Sequence, residues 1–368
     1  MNSLQLEIVD CPLCHSTEQR SVVESADNQW GVPGRFAVTE CRRCGHLFMN
    51  PRPTLDSIGD CYPDNYGPHQ NLPGDTQSTS RTDTATAASE HAAVRPAGLD
   101  AVPQRPWYLR YLPLRSIPGL KRFYEWLLDD RSQWFPPPAQ PASSTSSASV
   151  RRGFELGCAA GAYLMQLQER GWQVSGVEPG ERPAAAARAA GLNVATGTLD
   201  SQPQDEQSFD FAASWMVIEH VPDPRTTLTQ MFALLRPGGV LAISVPNAGC
   251  WEPRCFGSAW DAWDLPRHLH HFSPRSIRRL LTECGYTNIE VIHQRNVLNI
   301  IGSVGILLTR RSPHSRTGQW LLRYPHEPRL WLQLMLAPWT HLLAFLRQGG
   351  RLTVIARRPN LCERECPS

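Results

Sequence analysis

Arg151-Arg152-Gly153-Phe154-Glu155-Leu156-Gly157-Cys158-Ala159-Ala160-Gly161 opens a segment that runs to Glu178 and divides into strand, glycine turn, helix, second strand and carboxylate. Phe154 and Leu156 sit in a short β-prone run. Leu164, Met165 and Leu167 then recur at helical spacing until Gly171 supplies a stop, and Gln173 to Val177 reads as a second strand ending on Glu178. In an open parallel sheet, ligands bind beyond the carboxyl ends of the strands, so the glycine turn and Glu178 are expected side by side on one rim. Small residues let backbone N–H groups approach a ligand, and a helix N-terminus favours a bound anion. Glu178 can accept two ribose hydroxyl protons, which suits a nucleoside cofactor. Taken alone, the stretch also fits a turn that merely packs helix on strand.

The glycine positions separate two cofactor classes. A dinucleotide fingerprint starting at Gly157 needs glycine at positions 159 and 162, and both are alanine. With Glu155 two residues ahead, the run E-x-G-x-A-x-G instead resembles motif I of the class I S-adenosylmethionine (SAM) methyltransferases, usually E/D-x-G-x-G-x-G. The middle glycine is replaced by Ala159. The resemblance implies cofactor contacts from Glu155, Gly157, Cys158, Gly161, Glu178 and Trp215.

Downstream the α/β alternation continues. Glu181 to Ala190 reads as a helix closed by Gly191, and Asn193 to Thr198 as a third strand, with Asp200 as a substitute for the acidic residue that family members place against adenine. A fourth strand, Phe209 to Met216, runs into Val217-Ile218-Glu219-His220-Val221-Pro222-Asp223-Pro224, which resembles the family's motif IV. Leu228, Met231, Phe232 and Leu235 follow with helical period. Arg236-Pro237-Gly238-Gly239 is expected to turn into a fifth strand, Val240 to Val245, and this L-R-P-G-G-x-L run is a further family mark.

A tryptophan-rich loop, Trp251 to Trp263, ends in Asp264-Leu265-Pro266-Arg267-His268-Leu269-His270-His271-Phe272. Three histidines in four residues suggest metal, whereas the resemblance matches His268 and Phe272 to a histidine and an aromatic that precede the helix capped here by Ser273 and Pro274. Asn288 to His293 and Arg351 to Arg357 are expected to close the sheet as an antiparallel pair, with a helical insertion at about 297–350 between them. Its apolar runs, Val297 to Leu308 and Leu330 to Leu346, fall short of the roughly 18 apolar residues of a membrane span. Helices covering the site or an oligomer face are one reading, and shallow membrane contact is the other.

Upstream, Cys11-Pro12-Leu13-Cys14 and Cys41-Arg42-Arg43-Cys44-Gly45 form two C-x2-C knuckles joined by a strand-like excursion through Trp30, Phe36 and Val38. Four thiolates suit tetrahedral zinc and close its coordination sphere, so the metal is expected to be structural, with His15 and His46 as spare neighbours. Phe48 to Pro53 and Cys61 to Tyr66 resemble the connecting segment of methyltransferases that carry such a ribbon in front. Residues 67–106 are rich in Ser, Thr, Ala, Pro, Asp and Gln and read as a disordered linker. Within a helical segment at 107–135, Leu120, Phe123, Tyr124 and Leu127 follow amphipathic spacing and are expected to pack on the core. Residues 136–149 read as a Pro/Ser linker.

The 368 residues, 41% of them hydrophobic, suffice for a real core, and a net charge of +2 excludes a global basic field for nucleic acid. The first ten residues lack a secretory pattern, so a cytoplasmic site is expected. The 11 cysteines then favour thiols and metal ligation over a disulfide framework. The expected fold is α/β, a Rossmann-like class I methyltransferase sheet of seven mostly parallel strands with an antiparallel last strand, preceded by a small zinc ribbon at 1–66 and occupying 150–359. The resemblance implies SAM-dependent methylation of a small-molecule acceptor, nucleotide-linked or lipid-linked sugars among them. His220, Glu219 and His268 are the expected catalytic residues, and His220 is the expected general base because its unperturbed pKa suits proton removal near neutrality. A zinc-ribbon protein that binds RNA or a protein partner without catalysis is the competing class.

Overall fold

The computed structural model describes residues 4–62, 118–138, 150–201, 206–324 and 329–360. The expected linker at 67–106 and most of 136–149 lie outside the described residues.

The chain starts with β1 (Leu6–Glu7), β2 (Gln19–Ser25), β3 (Phe36–Cys41), β4 (Leu47–Met49) and β5 (Arg52–Pro53). After α1 (Pro118–Leu128) come β6 (Arg152–Leu156), α2 (Ala162–Glu169), β7 (Gln173–Glu178), α3 (Glu181–Ala189), β8 (Asn193–Thr196) and β9 (Phe209–Trp215). Then follow α4 (Pro224–Leu234), β10 (Leu235–Pro246), α5 (Glu252–Phe256), β11 (His270–His271), α6 (Pro274–Glu283) and β12 (Thr287–His293). Three helices, α7 (Leu298–Arg311), α8 (Arg316–Arg323) and α9 (Leu330–Phe345), precede the last strand, β13 (Arg351–Arg357).

Seven strands form the main sheet in the order β12-β13-β10-β9-β6-β7-β8. β6 to β10 run parallel, and β13 is antiparallel to both its neighbours, as expected. β6 pairs with β7 on one side and β9 on the other, so the switch in strand order falls between β6 and β9, where a ligand crevice opens in such sheets. The Arg236–Gly239 turn is absorbed into β10, whose register shifts between Leu235 and Val240.

Local chemistry explains the helix starts. Asp223 accepts from the backbone N–H groups of Arg225 and Thr226 to cap α4, and Ser273 and Ser276 form a capping box on α6. Each has proline at the first turn, where a missing N–H costs nothing.

The ribbon shares its core with the sheet. β2, β3 and β4 form a sheet whose fourth strand is β11, supplied by the histidine run after the tryptophan loop. Cys11, Leu13, Cys41 and Phe48 pack in one cluster with Phe272 and Ile277, while Phe36, Val38 and Met49 pack with Trp260, Trp263, Leu265 and Leu269. Arg225 donates to the Leu13 carbonyl at 2.6 Å, and Arg52 to the Pro222 carbonyl at 2.6 Å.

The α1 aromatics depart from expectation. Phe123 and Trp126 are half-exposed, and α1 lies against α9, with the Trp126 ring 4.4 Å from that of His341. The segment after α1 does reach the sheet, as Tyr163 donates to the Trp134 carbonyl at 2.5 Å and Trp172 to that of Pro137 at 3.2 Å. An amphipathic pattern specifies a face to be covered but not its partner, and here α9 of the insertion meets α1 while Phe123 and Trp126 stay half-exposed.

Candidate active site

The glycine turn and Glu178 lie together at the carboxyl ends of β6 and β7. The Glu178 carboxylate accepts from the N–H of Ala159 and of Gly180, each at 2.9 Å. Gly157 has φ of +72°, and a Cβ there would stand 2.5 Å from Val217 Cγ2; Gly161 has φ of +82° and would press on Leu192. Only glycine suits these two positions. Ala159 has φ of +45°, so it occupies the left-handed region that a middle glycine would take without strain.

Glu155 is buried, and one of its carboxylate oxygens has no partner among the described residues. Burial, and then the Glu178 charge, pushes its carboxyl well above the usual range. Trp215 ends β9 edge-on to Tyr163, and its buried indole N–H also has no partner among the described residues. This donor set suits a ligand bringing hydroxyl donors and positive charge, as a nucleoside sulfonium does. Asp200 is exposed and accepts from Gln230 at 2.5 Å, which favours a surface role.

Beyond β9 and β10 a cavity of about 590 Å³ opens. Met216, His220 and His268 line it from the sheet side, Gln29 and Trp30 from the ribbon, and Arg323 from α8. Asn299 and Arg351 add polar wall, and Arg351 donates to Asn299 Oδ1 at 3.1 Å. Ligand atoms of Glu219, His220 and His268 converge within 4.8 Å of one another. His220 and His268 therefore line this cavity, and the fully buried Glu219 lies behind them.

Their environment is set by neighbours distant in sequence. His220 Nδ1 stands 3.2 Å from the Arg267 carbonyl and 3.1 Å from the Tyr62 hydroxyl. The carbonyl only accepts, so an Nδ1–H tautomer would satisfy it, whereas the Tyr62 hydroxyl can donate or accept. His268 Nδ1 meets the Ala262 carbonyl at 2.9 Å in the same way. Burial, then the neighbouring His268, carries the His220 pKa down to about 3, so the neutral-pH titration expected of it does not hold. Glu219 is fully buried with both carboxylate oxygens unpartnered among the described residues, and burial pushes its pKa up to about 8.

Sequence reasoning missed the residues that hold this cluster. Arg267 is fully buried and donates to Asp27 through both terminal nitrogens at 2.9 Å, and to Asp264 at 2.6 Å. Burial opposes ionisation of Asp264, but His268 and Arg267 outweigh it and hold the carboxyl below the usual range. Asp261, which accepts from Gln29 at 2.8 Å, is pushed up to about 7 by burial. The D-L-P-R-H run was visible, but its ion pairs depend on Asp27 in the ribbon. His270 and His271 converge on no metal: His270 meets the Val221 carbonyl at 3.0 Å, and His271 stands edge-on to Trp263. Burial lowers the pKa of both, so they pack as neutral rings.

At the N-terminus the four cysteines converge, with Cys11 Sγ 3.5 Å from Cys44 Sγ and Cys14 Sγ 3.5 Å from Cys41 Sγ. Tetrahedral zinc with sulfur at about 2.3 Å places its ligands about 3.8 Å apart, so the donor set and spacing fit that ion.

Residues 119–291 match a family described as a methyltransferase domain. This region belongs to the class I SAM-dependent methyltransferases. Malonyl-[acyl-carrier protein] O-methyltransferase of Serratia marcescens is 27% identical over 147 residues, 39% of this chain and 56% of that protein. A ubiquinone biosynthesis O-methyltransferase of Pseudomonas fluorescens is 28% identical over 134 residues, 33% of this chain and 56% of that protein. The match thus spans little more than half the length of these relatives. Among solved structures, a SAM-dependent methyltransferase of Thermotoga maritima, described as a possible histamine N-methyltransferase, aligns at 18% identity and a TM-score of 0.39, covering 68% of this chain and 98% of that one.

The methyltransferase domain's buried Glu219 makes a pH prediction. The folded protein holds this proton up to about pH 8, while the unfolded chain releases it near 4.5. Folding takes up a proton in between, so stability falls as pH rises through that window. Glu219→Gln should flatten the fall, with a difference from wild type on the order of a few kcal/mol by pH 9. Urea denaturation across pH 5 to about 9 checks this, and parallel curves would show that burial does not hold the proton there.

Proposed function

We propose that the protein transfers a methyl group from SAM to a hydroxyl of a small-molecule acceptor held in the cavity between sheet, ribbon and insertion. The observation that carries this is the cavity's position: it opens on Met216 and His220 just past the carboxyl end of β9, the strand paired with β6, whose own carboxyl end leads into the glycine turn. Glu155, Gly157, Cys158, Gly161, Glu178 and Trp215 are the proposed cofactor contacts. Bound SAM supplies an electrophilic methyl on a sulfonium whose departure needs no protonation. The chain's remaining tasks are to align the acceptor, exclude water and take up a proton. O-methylation draws support from the names of the curated relatives.

A nucleotide-linked or lipid-linked sugar is the proposed acceptor class. Arg323 and Arg351 offer cations for phosphate, and Asp261 and Gln29 offer hydrogen-bonding groups for sugar hydroxyls. His220 Nε2 is the proposed proton acceptor. Asp264 is the charge that favours the resulting imidazolium, against burial and His268, which oppose it. A purely binding role is not favoured, since it gives no reason for an orphaned carboxyl at Glu155 and a neutral histidine pair facing the cavity.

Methyl incorporation from SAM across nucleotide sugars, phenols and lipid-linked intermediates tests the reading. His220→Ala should lose about 10² to 10⁴ in turnover on the preferred acceptor with SAM affinity nearly intact, because the contribution arises only in the transition state. Full activity in the variant, with an unchanged pH profile, would discard the base role and shift attention to His268.

Zinc at Cys11, Cys14, Cys41 and Cys44 is proposed as structural. Metal analysis should find one zinc per chain in wild type and its loss in Cys41→Ser; equal content in both would refute the site.

A further inference from the structure

The insertion leaves an unusual surface. In α9, Trp331, Met335, Trp339 and Phe345 are 57, 68, 62 and 83% exposed, and Leu342 and Leu346 accompany them. At 100° per residue these positions fall within one stripe about 120° wide, while the buried Ala337 and Thr340 lie on the opposite side. The helix has 16 residues, about 24 Å of length. Phe123 and Trp126 of α1 extend the apolar surface alongside it. Exposed apolar area of this extent marks an interaction site.

Charge points to the occupant. Residues 297–350 contain six arginines and one acidic residue, Glu327. Arg311, Arg316, Arg323 and Arg347 are exposed, and among the described residues none has an ion-pair partner. Tryptophan beside arginine is the composition of helices lying in the headgroup region of anionic bilayers, where the ring spans the apolar boundary and the cation meets phosphate. No helix among the described residues is long and apolar enough to cross a membrane. We infer that α9, with α1 beside it, seats the protein on the surface of an anionic lipid bilayer.

The placement has a use. α8 carries Arg323 into the wall of the acceptor cavity, and the exposed Arg316 and Trp320 border an adjoining pocket of about 220 Å³. Because α8 and α9 belong to the same insertion, a bilayer seated on it would bring a lipid-anchored acceptor to the element that carries Arg323. The seating itself does not depend on which acceptor is used.

Co-sedimentation of the full chain with vesicles tests the inference. Vesicles rich in phosphatidylglycerol should carry the protein down and pure phosphatidylcholine vesicles should not, and about 0.5 M salt should weaken binding. Arg311→Gln and Arg347→Gln should each lower partitioning about fivefold, as for one surface cation near anionic lipid. The triple variant Trp331→Ser, Trp339→Ser, Phe345→Ser should lower it more than tenfold, while zinc content and circular dichroism show that it is folded. Absence of wild-type binding to either vesicle overturns the inference, as does a folded triple variant that binds like wild type. A wild-type dimer that the triple variant makes monomeric, with no vesicle binding by either, also overturns it and assigns the face to a second copy of this chain.

Discussion

Arg267 is fully buried, and its guanidinium lies between Asp27 of the ribbon and Asp264 of the cavity wall. Each carboxylate keeps its charge because the guanidinium is there, and the guanidinium is tolerated because both carboxylates are; for Asp27, the bond and charge of Arg267 overcome the burial that opposes ionisation. Removing one member of such a group typically costs about 3 to 5 kcal/mol, since an unpaired charge remains inside. The Arg267 carbonyl also orients His220, and its side chain anchors the Cys61 carbonyl one residue from Tyr62, the other partner of His220. One residue therefore ties the ribbon to the cavity wall through its guanidinium and touches the proposed base through its backbone carbonyl.

The ribbon is consequently part of the cavity. Completed by strand β11 from the segment before α6 and sharing a core cluster with the main sheet, it carries Gln29 and Trp30 to the acceptor side, while the insertion closes the same space from α8. Asp261 joins the two, accepting from Gln29 and packing under Gly302 of α7, where even a Cβ would meet its carboxylate at 2.4 Å.

What was legible in the sequence is what local rules govern. The strand-turn-helix run at Phe154 to Gly171, the cap at Ser273, and the closing pair of strands follow from periodicity, proline and glycine, and the structure places them as read. The glycine turn and Glu178 do meet, because parallel strands joined by one helix leave them no other arrangement. Non-local relations were hidden. A two-residue strand such as His270–His271 has no period to detect, and its partner Leu47–Phe48 lies far away in sequence. The depressed pKa of His220 and the raised one of Glu219 arise from burial by segments that no local pattern joins to them.

The central claim is that the rim formed by Gly157, Ala159 and Glu178 holds SAM. Calorimetric titration of SAM into the full chain tests it most directly. One site per chain is expected, with a loss of about 1 to 3 kcal/mol in Glu178→Ala, as for a deleted charge-assisted hydrogen bond. A folded Glu178→Ala variant that binds SAM as tightly as wild type, or a wild-type protein that gives no binding heat at any temperature, would contradict the account.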